Sequence, residues 1–485
     1  MNGLENNNYS AKSEYKKYQG VRISHWDKVA EKRNILNLSA CYHKRLQKVM
    51  QFIVPPRQKV LEIGCGRGDL LASLQPSYGL GVDFSSEMVN QAKKRHPVLH
   101  FIQADAHELN INTEFDFVIL SDLLNDLWDV QTVLQKITSF TSPRSRIIIN
   151  SYSRLWELPL SIARKLRLGK PNLYQNWLTL EDIAGLLSLA NFEIVRHWEE
   201  IIWPVRTPVI DYLLNRFVVK LWPFQWLALS HIIVAKPGAA NLHAQDTPKV
   251  SVIIPARNES GNIEQIFELV PEMGAGTELI FVEGNSTDDT FGTIQKAIED
   301  NPQKLAKLFR QEGQGKGDAV RFGFKQAAGD ILMILDADLT VPPEDLPRFY
   351  DVIAQGKAEF VNGVRLVYPM EKEAMRFLNF LGNKFFGLAF SWLLGQPIKD
   401  TLCGTKVLWK KDYERIAANR SYFGDFDPFG DFDLLFGAAK LNLKIVEVPI
   451  RYRERTYGKT NISRWSHGWL LLKMVFFALR RIKFV

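Results

Sequence analysis

The sequence predicts two α/β domains in one chain, each built on a largely parallel sheet with helices on both faces. Strand-like apolar runs alternate with helical stretches twice along the 485 residues, first from residue 59 and again from residue 250. Between the two series lies a small, polar stretch without periodicity, residues 237–248, which is typical of a linker. Strand–helix alternation is the pattern of parallel sheets, whose crossovers need helices.

The elements follow from the apolar pattern and its turn residues. The first domain is predicted to contain strands at 59–64, 78–83, 98–105, 115–121 and 146–151, with helices at 69–75, 86–95 and 130–139. The second is predicted to contain strands at 250–255, 278–283, 307–311 and 330–338, with helices at 260–269, 287–299 and 317–327. The resulting segments are a polar lead-in (1–45), the first domain (46–236), the linker (237–248), the second domain (249–465) and a basic amphipathic C-terminal helix (466–485).

Composition excludes several classes of protein. Hydrophobic residues make up 46% and charged residues 24%, which allows a large core and excludes global disorder. The three cysteines are far apart and form no CxxC pair. A disulfide scaffold and a cysteine zinc site are therefore excluded, and a reducing compartment is expected.

The net charge of +8 is concentrated at the C-terminus. Residues 440–485 hold 11 Lys/Arg and 2 Asp/Glu, so the rest of the chain sums to about −1. With no apolar h-region near the N-terminus and no window of 18 uninterrupted apolar residues, neither a signal peptide nor a membrane span is expected. Val209–Ala235 is predicted to be buried core. Trp469–Leu479, which basic residues follow, suits either a core helix or a helix that lies in a membrane interface. We expect a cytoplasmic protein, peripheral at the inner face of a membrane.

A glycine-rich loop, EIGCGRG at 62–68, follows the first strand. Glycines allow a tight turn and a close backbone approach to a ligand, and the GxGxG spacing differs from that of dinucleotide sites. Asp83 ends the second strand and Asp105 the third, where carboxylates can accept ribose hydroxyls and an adenine amino hydrogen.

This constellation resembles the class I S-adenosylmethionine-dependent methyltransferases, a Rossmann-like fold, over about residues 40–236. The resemblance implies a seven-stranded sheet with S-adenosylmethionine at the carboxyl ends of its strands. It assigns the cofactor site to Glu62, Gly64, Gly66, Gly68, Asp83 and Asp105. Asp122, Asn125 and Asp126 are candidates for a base, and the methyl acceptor stays open.

Four loops of the second domain each follow a predicted strand. They contain Pro255, Arg257 and Glu259; then Glu283 and Asp288; then Lys316 between two glycines; then Asp336 and Asp338. A glycine-flanked lysine that opens a helix can meet phosphate. Carboxylates two residues apart offer the hard oxygen ligands that Mg²⁺ or Mn²⁺ prefers, and such a metal can neutralise a leaving diphosphate.

These motifs resemble the family 2 glycosyltransferases of the GT-A fold over about residues 248–465, and within them the dolichyl- or polyprenyl-phosphate sugar synthases. The segments DADLTVPPEDL (336–346), NGVR (362–365) and EVPIRYRERTYGKT (447–460) carry that resemblance. It implies a nucleotide-sugar site at Pro255, Arg257, Glu259, Glu283, Lys316 and Asp336, and metal ligands at Asp336 and Asp338. It also implies catalytic roles for Asp338, Asp400 and Arg365. Thr340 stands where that branch often has a glutamine ligand, and Glu283 where many members have Asp.

The acceptor can be argued from charge. A lipid phosphate is already ionised and needs cations, whereas a sugar hydroxyl needs a carboxylate base. Arg365, Arg451, Arg455 and Lys459 are the expected phosphate contacts, with Arg453 nearby. A hydroxyl acceptor would instead direct attention to the carboxylates of GDFDPFGDFD: Asp425, Asp427, Asp431 and Asp433.

The sequence therefore predicts a bifunctional enzyme that transfers a sugar with inversion from a nucleotide sugar, with polyprenyl phosphate as acceptor, and transfers a methyl group. One alternative is a glycosyltransferase that acts on a polysaccharide or small-molecule hydroxyl. A second is a non-catalytic membrane or nucleic-acid binding protein, which the intact site residues argue against. We expect no nucleic-acid partner.

Overall fold

The computed structural model describes residues 2–31, 40–165, 173–239, 247–367, 377–420, 431–455, 457 and 464–485. The chain folds into two compact units. Unit 1 comprises Met1–Gly238 and Phe484–Val485, and unit 2 comprises Ala239–Lys483.

Unit 1 is an α/β unit with seven strands and eight helices among its described residues. The strands are β1 (Lys59–Ile63), β2 (Tyr78–Asp83), β3 (His100–Gln103), β4 (Phe115–Ser121), β5 (Thr141–Tyr152), β6 (Phe192–Glu200) and β7 (Ser230–Pro237). The helices are α1 (Asn2–Glu31), α2 (Ala40–Ile53), α3 (Asp69–Ser73), α4 (Ser86–Arg95), α5 (Val130–Ile137), α6 (Glu157–Lys165), α7 (Leu180–Leu189) and α8 (Ile210–Arg216).

The unit 1 sheet has the strand order β3-β2-β1-β4-β5-β7-β6. Strands β1 to β5 run parallel, and β7 runs antiparallel to both of its neighbours. The carboxyl ends of β1, β2, β3, β4 and β5 therefore share one edge, which we call the cofactor edge. Two buried apolar clusters cover the two faces, so both faces are core, as a parallel sheet requires.

Unit 2 contains seven further strands and eight further helices among its described residues. The strands are β8 (Val250–Ala256), β9 (Thr277–Glu283), β10 (Leu305–Arg310), β11 (Ile331–Ile334), β12 (Phe360–Val364), β13 (Lys406–Trp409) and β14 (Ile445–Pro449). The helices are α9 (Ile263–Leu269), α10 (Thr290–Asp300), α11 (Lys316–Gln326), α12 (Leu346–Ala354), α13 (Phe377–Leu394), α14 (Lys410–Ala418), α15 (Asp431–Lys440) and α16 (Arg464–Ala478).

The unit 2 sheet has the strand order β10-β9-β8-β11-β13-β12-β14, and only β13 is antiparallel to its neighbours in the described ladders. Strands β8, β9, β10 and β11 end at one edge, which brings the four predicted loops together. The sequence-based fold class, a Rossmann-like unit followed by a GT-A unit, is confirmed.

Some element bounds differ from the prediction at positions that matter for the sites. The strand predicted to continue to residue 338 ends at Ile334, so Asp336 and Asp338 lie in a loop. The chain turns there, with Leu339 in the left-handed region at φ 54°. The helix predicted from residue 287 begins at Thr290, whose backbone N–H donates to Asp288 Oδ1 (3.1 Å). Across the described residues, no helix has both the length and the apolar character to cross a bilayer.

Candidate functional site

The glycine-rich loop of unit 1 is tied to the end of β2 by Asp83. The Gly66 N–H donates to Asp83 Oδ2 (2.9 Å), and the Ser85 N–H donates to Oδ1 (2.9 Å). Burial raises the pKa of Asp83 despite these two donors. Each carboxylate oxygen keeps a second lone pair, so the predicted ribose contacts remain geometrically open.

Glu62 has a structural partner as well. Its Oε2 accepts from the Leu71 N–H (3.0 Å), which satisfies one of the unpaired donors in the first turn of α3. Burial raises the pKa of Glu62 to about 8. Glu62 therefore holds the first turn of α3, the helix that follows the glycine loop.

The three glycines of the loop differ in what surrounds them. All three have a positive φ. A Cβ on Gly68 would lie 2.6 Å from the Phe101 ring, and one on Gly64 would lie 2.9 Å from Leu123 Cδ1. A Cβ on Gly66 would meet nothing within 4 Å. Packing explains two of the glycines, and Gly66 faces open space where a ligand can approach.

Asp105 is saturated by protein donors. Tyr15 Oη and Gln19 Nε2 donate to its Oδ2 (2.5 and 2.6 Å). The His107 N–H donates to Oδ1 (2.9 Å), and His107 Nδ1 lies 2.7 Å from the same oxygen. Burial acts to raise the pKa of Asp105, but these contacts hold it at about 2. An adenine amino group would have to replace a donor from α1.

Helix α1 is the part of this site that the sequence analysis missed. A small cavity that is partly open to solvent lies at the cofactor edge, between Gly64, Asp83 and Asp105 on one side and Tyr15, Tyr18, Gln19 and Arg22 of α1 on the other. Residues 15, 18, 19, 22 and 26 follow the i, i+3, i+4, i+7 spacing of one helix face, and this spacing is the signal that could have revealed the contact.

The three candidate bases are each engaged in the structure. Asp126 accepts from Arg22 Nε (2.9 Å) and from Trp26 Nε1 (2.7 Å). Asp122 accepts from Tyr42 Oη and from Asn150 Nδ2 (both 2.5 Å). Asn125 is buried and donates to the Asn176 carbonyl (2.7 Å). These contacts hold loops in place, so the candidates stay predictions.

In unit 2, Asp336 lies against Lys316. The ammonium is 2.6 Å from Asp336 Oδ1. Burial of Asp336 acts to raise its pKa, but Lys316 and more distant cations keep the pKa below its usual range. Gly404 lies on top of this pair, since a Cβ there would be 2.0 Å from Asp336 Oδ2 and 2.4 Å from Lys316 Nζ. Gly404 was not among the predicted site residues.

Asp338 and Glu259 are bridged by Arg455. One guanidinium nitrogen donates to Asp338 Oδ2 (2.5 Å) and another to Glu259 Oε1 (3.2 Å). Asp338 Oδ1 also accepts from the Thr340 hydroxyl (2.8 Å), which places that hydroxyl beside the carboxylate. Burial raises the pKa of Glu259 to about 7, and Arg455 opposes that rise. A predicted phosphate ligand thus bridges two of the predicted donor-site carboxylates.

The strand ends of β8 and β9 form the predicted nucleoside side of the site. Pro255 pairs with Val282 in the ladder, and buried Glu283 accepts from the Ser286 N–H (2.6 Å). Asn258 Oδ1 accepts from the Thr287 N–H (2.7 Å), which joins the two loops. Arg257 is exposed at this edge.

The predicted catalytic residues Asp400 and Arg365 form one buried ion pair. Arg365 Nε and Nη2 donate to the two oxygens of Asp400 (2.7 and 2.8 Å), and Asp400 has no exposed surface. Burial acts to raise the pKa of Asp400, but Arg365 keeps it below its usual range. The guanidinium lies over the Tyr452 ring, 5.1 Å from its centroid. Two of its nitrogens are therefore committed before any phosphate arrives.

The remaining predicted cations and carboxylates are only partly described. Arg451 is exposed, and Arg453 Nη2 donates to Glu344 Oε1 (2.7 Å). Asp433 lies 3.3 Å from Arg420. Lys459, Asp425 and Asp427 lie outside the described residues, as does the side chain of Asp431.

Neither unit supplies three protein ligands for a metal: the described residues contain no cluster of three His, Cys, Asp or Glu side chains that could hold one. The carboxylates of Asp336 and Asp338 instead face Lys316 and Arg455. The two carboxylates alone fit a divalent ion, because Mg²⁺ is often bound by one or two carboxylates plus substrate phosphates and water.

Comparison with known proteins assigns a family to each unit. The "Methyltransferase domain" family matches residues 56–200, and the "Glycosyl transferase family 2" family matches residues 251–416.

Curated relatives match a little under half of the chain. A dolichol-phosphate mannosyltransferase of Pyrococcus furiosus is 31% identical over 222 residues, which is 44% of this chain and 59% of the relative. An undecaprenyl-phosphate 4-deoxy-4-formamido-L-arabinose transferase of Pseudomonas aeruginosa is 32% identical over 218 residues, 44% of this chain and 60% of the relative. The chain thus spans less than two thirds of the length of either.

Two solved structures have a lower overall similarity to the chain. Magnesium protoporphyrin IX methyltransferase from Synechocystis is 17% identical, with a TM-score of 0.31 over 46% of this chain and 96% of that one. Glucosyl-3-phosphoglycerate synthase from Mycobacterium tuberculosis is 20% identical, with a TM-score of 0.36 over 48% of this chain and 80% of that one. By its family matches and its two folds, the chain carries a methyltransferase domain in unit 1 and a family 2 glycosyltransferase domain in unit 2.

Proposed function

We propose that unit 2 transfers a sugar from a nucleotide sugar to a polyprenyl phosphate, with inversion at the anomeric carbon. The observation that carries this proposal is the contact network at the ends of β8 and β11, where Asp336, Asp338 and Glu259 meet Lys316 and Arg455. These are the groups that a metal-bound diphosphate donor needs: carboxylates for the metal and cations for the phosphates.

Asp336 and Asp338 would hold Mg²⁺ or Mn²⁺, which supplies charge neutralisation for the leaving diphosphate. Lys316 and Arg455, which contact these two carboxylates here, are the cations that would meet the phosphate oxygens of the donor. Glu259 also contacts Arg455 and would orient it.

The state of Asp400 supports a phosphate acceptor. Asp400, the carboxylate predicted near the reaction centre, is fully buried and bound to Arg365, and its pKa lies below its usual range. Such a group is a poor base for a sugar hydroxyl. A polyprenyl phosphate is already ionised and needs no base, and the names of the two relatives above describe lipid-phosphate sugar transfer.

The test is the solubility of the product. Labelled nucleotide sugars are incubated with the purified chain, Mn²⁺ and undecaprenyl phosphate, and the label is partitioned between organic and aqueous phases. We expect metal-dependent label in the organic phase, and none with Asp338→Asn. Label that enters only water-soluble glycans would favour a hydroxyl acceptor and overturn the lipid assignment.

We also propose that unit 1 transfers a methyl group from S-adenosylmethionine. The support is the open space at Gly66, the Asp83 carboxylate beside it and the cavity at the cofactor edge. Titration calorimetry with S-adenosylhomocysteine tests this proposal, and we expect binding that Asp83→Ala weakens at least tenfold. Absence of binding to the wild-type chain would refute it.

A peripheral position at a membrane surface, at its inner face, is part of the same proposal. In unit 2, α13 and α16 contact each other and expose Leu381, Phe385, Leu388, Trp469 and Phe476, with Arg480 and Arg481 after α16. Apolar side chains beside basic ones suit the surface of an anionic bilayer.

A further inference from the structure

Residues 201–228, which connect β6 to β7 in unit 1, present an apolar surface to solvent. We call this stretch the apolar insertion. All of it lies within the described part of the chain, and eleven of its large apolar side chains are exposed. Trp222 is 71% exposed, Val209 68%, Trp226 60% and Leu227 56%. The sequence predicted buried core here, and for these side chains that interpretation is wrong. Many large exposed apolar side chains in one segment are typical of an interaction surface.

The insertion is held in place by buried polar anchors. Lys220 is 4% exposed and donates to Glu200 and to the Glu199 carbonyl (3.0 Å), while Arg45 lies 3.1 Å from the same Glu200 carboxylate. Asn215 is 3% exposed and accepts from the N–H groups of Ile202 and Trp203 (2.9 and 2.8 Å). The Lys220 contacts fix the insertion to the end of β6, which Arg45 also contacts.

The insertion lies at the cofactor edge. It begins after β6 ends at Glu200 and ends where β7 begins at Ser230, and Ser230 pairs with Tyr152 at the carboxyl end of β5. Strand β5 runs parallel with the strands that carry the glycine loop and Asp83. Trp156 Nε1 donates to the Leu227 carbonyl (3.0 Å), so α6, with Leu158 74% exposed, adjoins the same surface.

Charge and residue type identify the occupant. Within residues 201–228 the basic residues are Arg206, Arg216 and Lys220, of which Lys220 is buried against Glu200. The single acid, Asp211, accepts from Cys41 Sγ (3.0 Å). Arg206 is exposed, as is Arg154, two residues before Trp156. Three of the exposed side chains are tryptophans, whose rings favour the membrane–water interface. Basic and aromatic residues around an aliphatic centre suit anionic phospholipid.

We propose that the apolar insertion docks unit 1 on the surface of an anionic phospholipid bilayer. Docking would hold the cofactor edge at the membrane, where a lipid-linked methyl acceptor is presented. The lipid-linked acceptor rests on the proposed methyl transfer, whereas the docking does not. This contact is separate from that of α13 and α16 in unit 2.

The test is flotation of the full chain with vesicles of phosphatidylglycerol and phosphatidylcholine, against vesicles of phosphatidylcholine alone. We expect the double variant Trp222→Ser/Trp226→Ser to bind the anionic vesicles at least tenfold more weakly than wild type. The matched control is Val98→Ser, which removes an 88% exposed apolar side chain just before β3, at the opposite edge of the sheet, and should bind as wild type does. Because α16 can contribute, both are repeated with Trp469→Ser/Phe476→Ser in the background.

Two results would overturn the docking: a wild-type chain that does not float with anionic vesicles, or a double variant that floats like Val98→Ser in both backgrounds. Sedimentation equilibrium provides a third such result. If the wild type were a dimer, the double variant a monomer and vesicle binding the same in both, the surface would belong to a contact with a second copy of the chain. The melting-temperature rise with S-adenosylhomocysteine should be the same in all variants, which shows that they are folded. Its absence in wild type refutes the methyl-transfer proposal and leaves the flotation result to decide the docking.

Discussion

Replacing Gly404 with alanine should disable the glycosyltransferase site with one methyl group. A Cβ at this position would lie 2.0 Å from Asp336 Oδ2, whereas real Cβ atoms essentially never approach within 3.0 Å of another heavy atom. The carboxylate, or the backbone that carries residue 404, must therefore shift by about 1 Å. The same Cβ would lie 2.4 Å from Lys316 Nζ, so the two side chains cannot both stay in place.

A displacement of about 1 Å in a positioned group can reduce a rate by roughly 100-fold, which corresponds to about 2.7 kcal/mol of transition-state stabilisation. The assay is kcat/KM for nucleoside diphosphate release from the best nucleotide sugar, with Mn²⁺ and polyprenyl phosphate. Gly382→Ala is the matched control, because a Cβ there meets nothing within 4 Å and α13 is a helix in which alanine is favoured.

The melting temperature is measured beside the rate, since overpacking at a buried glycine can also cost about 1–3 kcal/mol of stability. A Gly404→Ala protein that keeps its fold and loses activity supports the placement of Asp336 and Lys316. A variant that keeps more than a third of wild-type kcat/KM would show that Asp336 does not act where the structure puts it.

Three further outcomes follow from the contacts described. Asp400→Asn should lower the free energy of unfolding in urea by about 3 kcal/mol, because it leaves the buried charge of Arg365 uncompensated. Asp345→Asn, at the exposed pair with Arg348, is the control and should cost under about 1 kcal/mol. Equal effects would contradict the buried pair. Burial raises the pKa of Glu62 from 4.5 to about 8, so its contribution to stability is fully present below pH 4.5 and is lost as pH rises to 8. Wild type should therefore lose melting temperature relative to Glu62→Gln between about pH 4.5 and 8, and a constant difference would be evidence against the shift. Tyr15→Phe removes one hydrogen-bond donor from Asp105, which leaves that carboxylate available to the adenine amino group. S-adenosylhomocysteine should therefore bind about fivefold more tightly by calorimetry, the value of one net hydrogen bond. An unchanged affinity would remove Asp105 from the adenine site.

Much of both folds could be predicted because parallel strands obey local rules. Each strand carries its own apolar run, and polar residues at strand ends must gather at one edge. The order of residues alone therefore placed Asp83 beside the glycine loop and Asp336 beside Lys316.

The parts that escaped prediction depend on contacts between distant segments. Tyr15 and Asp105 are 90 residues apart, and Arg455 and Asp338 are 117 apart. The spacing of residues 15, 18, 19, 22 and 26 marks one face of α1 but does not say which segment that face contacts, and no pattern links Arg455 to Asp338. Gly404 was missed because a glycine gives no chemical signal until its neighbours are known. The apolar insertion was predicted to be core because apolar composition alone does not distinguish side chains that are buried from side chains that are exposed.

The central claim is that Asp336 and Asp338 hold a metal-dependent nucleotide site, and melting temperature tests it most directly. The full chain is heated with UDP, GDP, CDP and dTDP, each with and without Mn²⁺, beside Asp338→Asn. A ligand at 100 times its Kd stabilises a folded domain by about 2.7 kcal/mol, or about 5–10 °C for a domain of this size. We expect the melting temperature to rise by this amount with at least one nucleotide, only when Mn²⁺ is present and only in wild type. If none of the four nucleotides raises the melting temperature, or if Asp338→Asn shows an equal rise, the claim is contradicted.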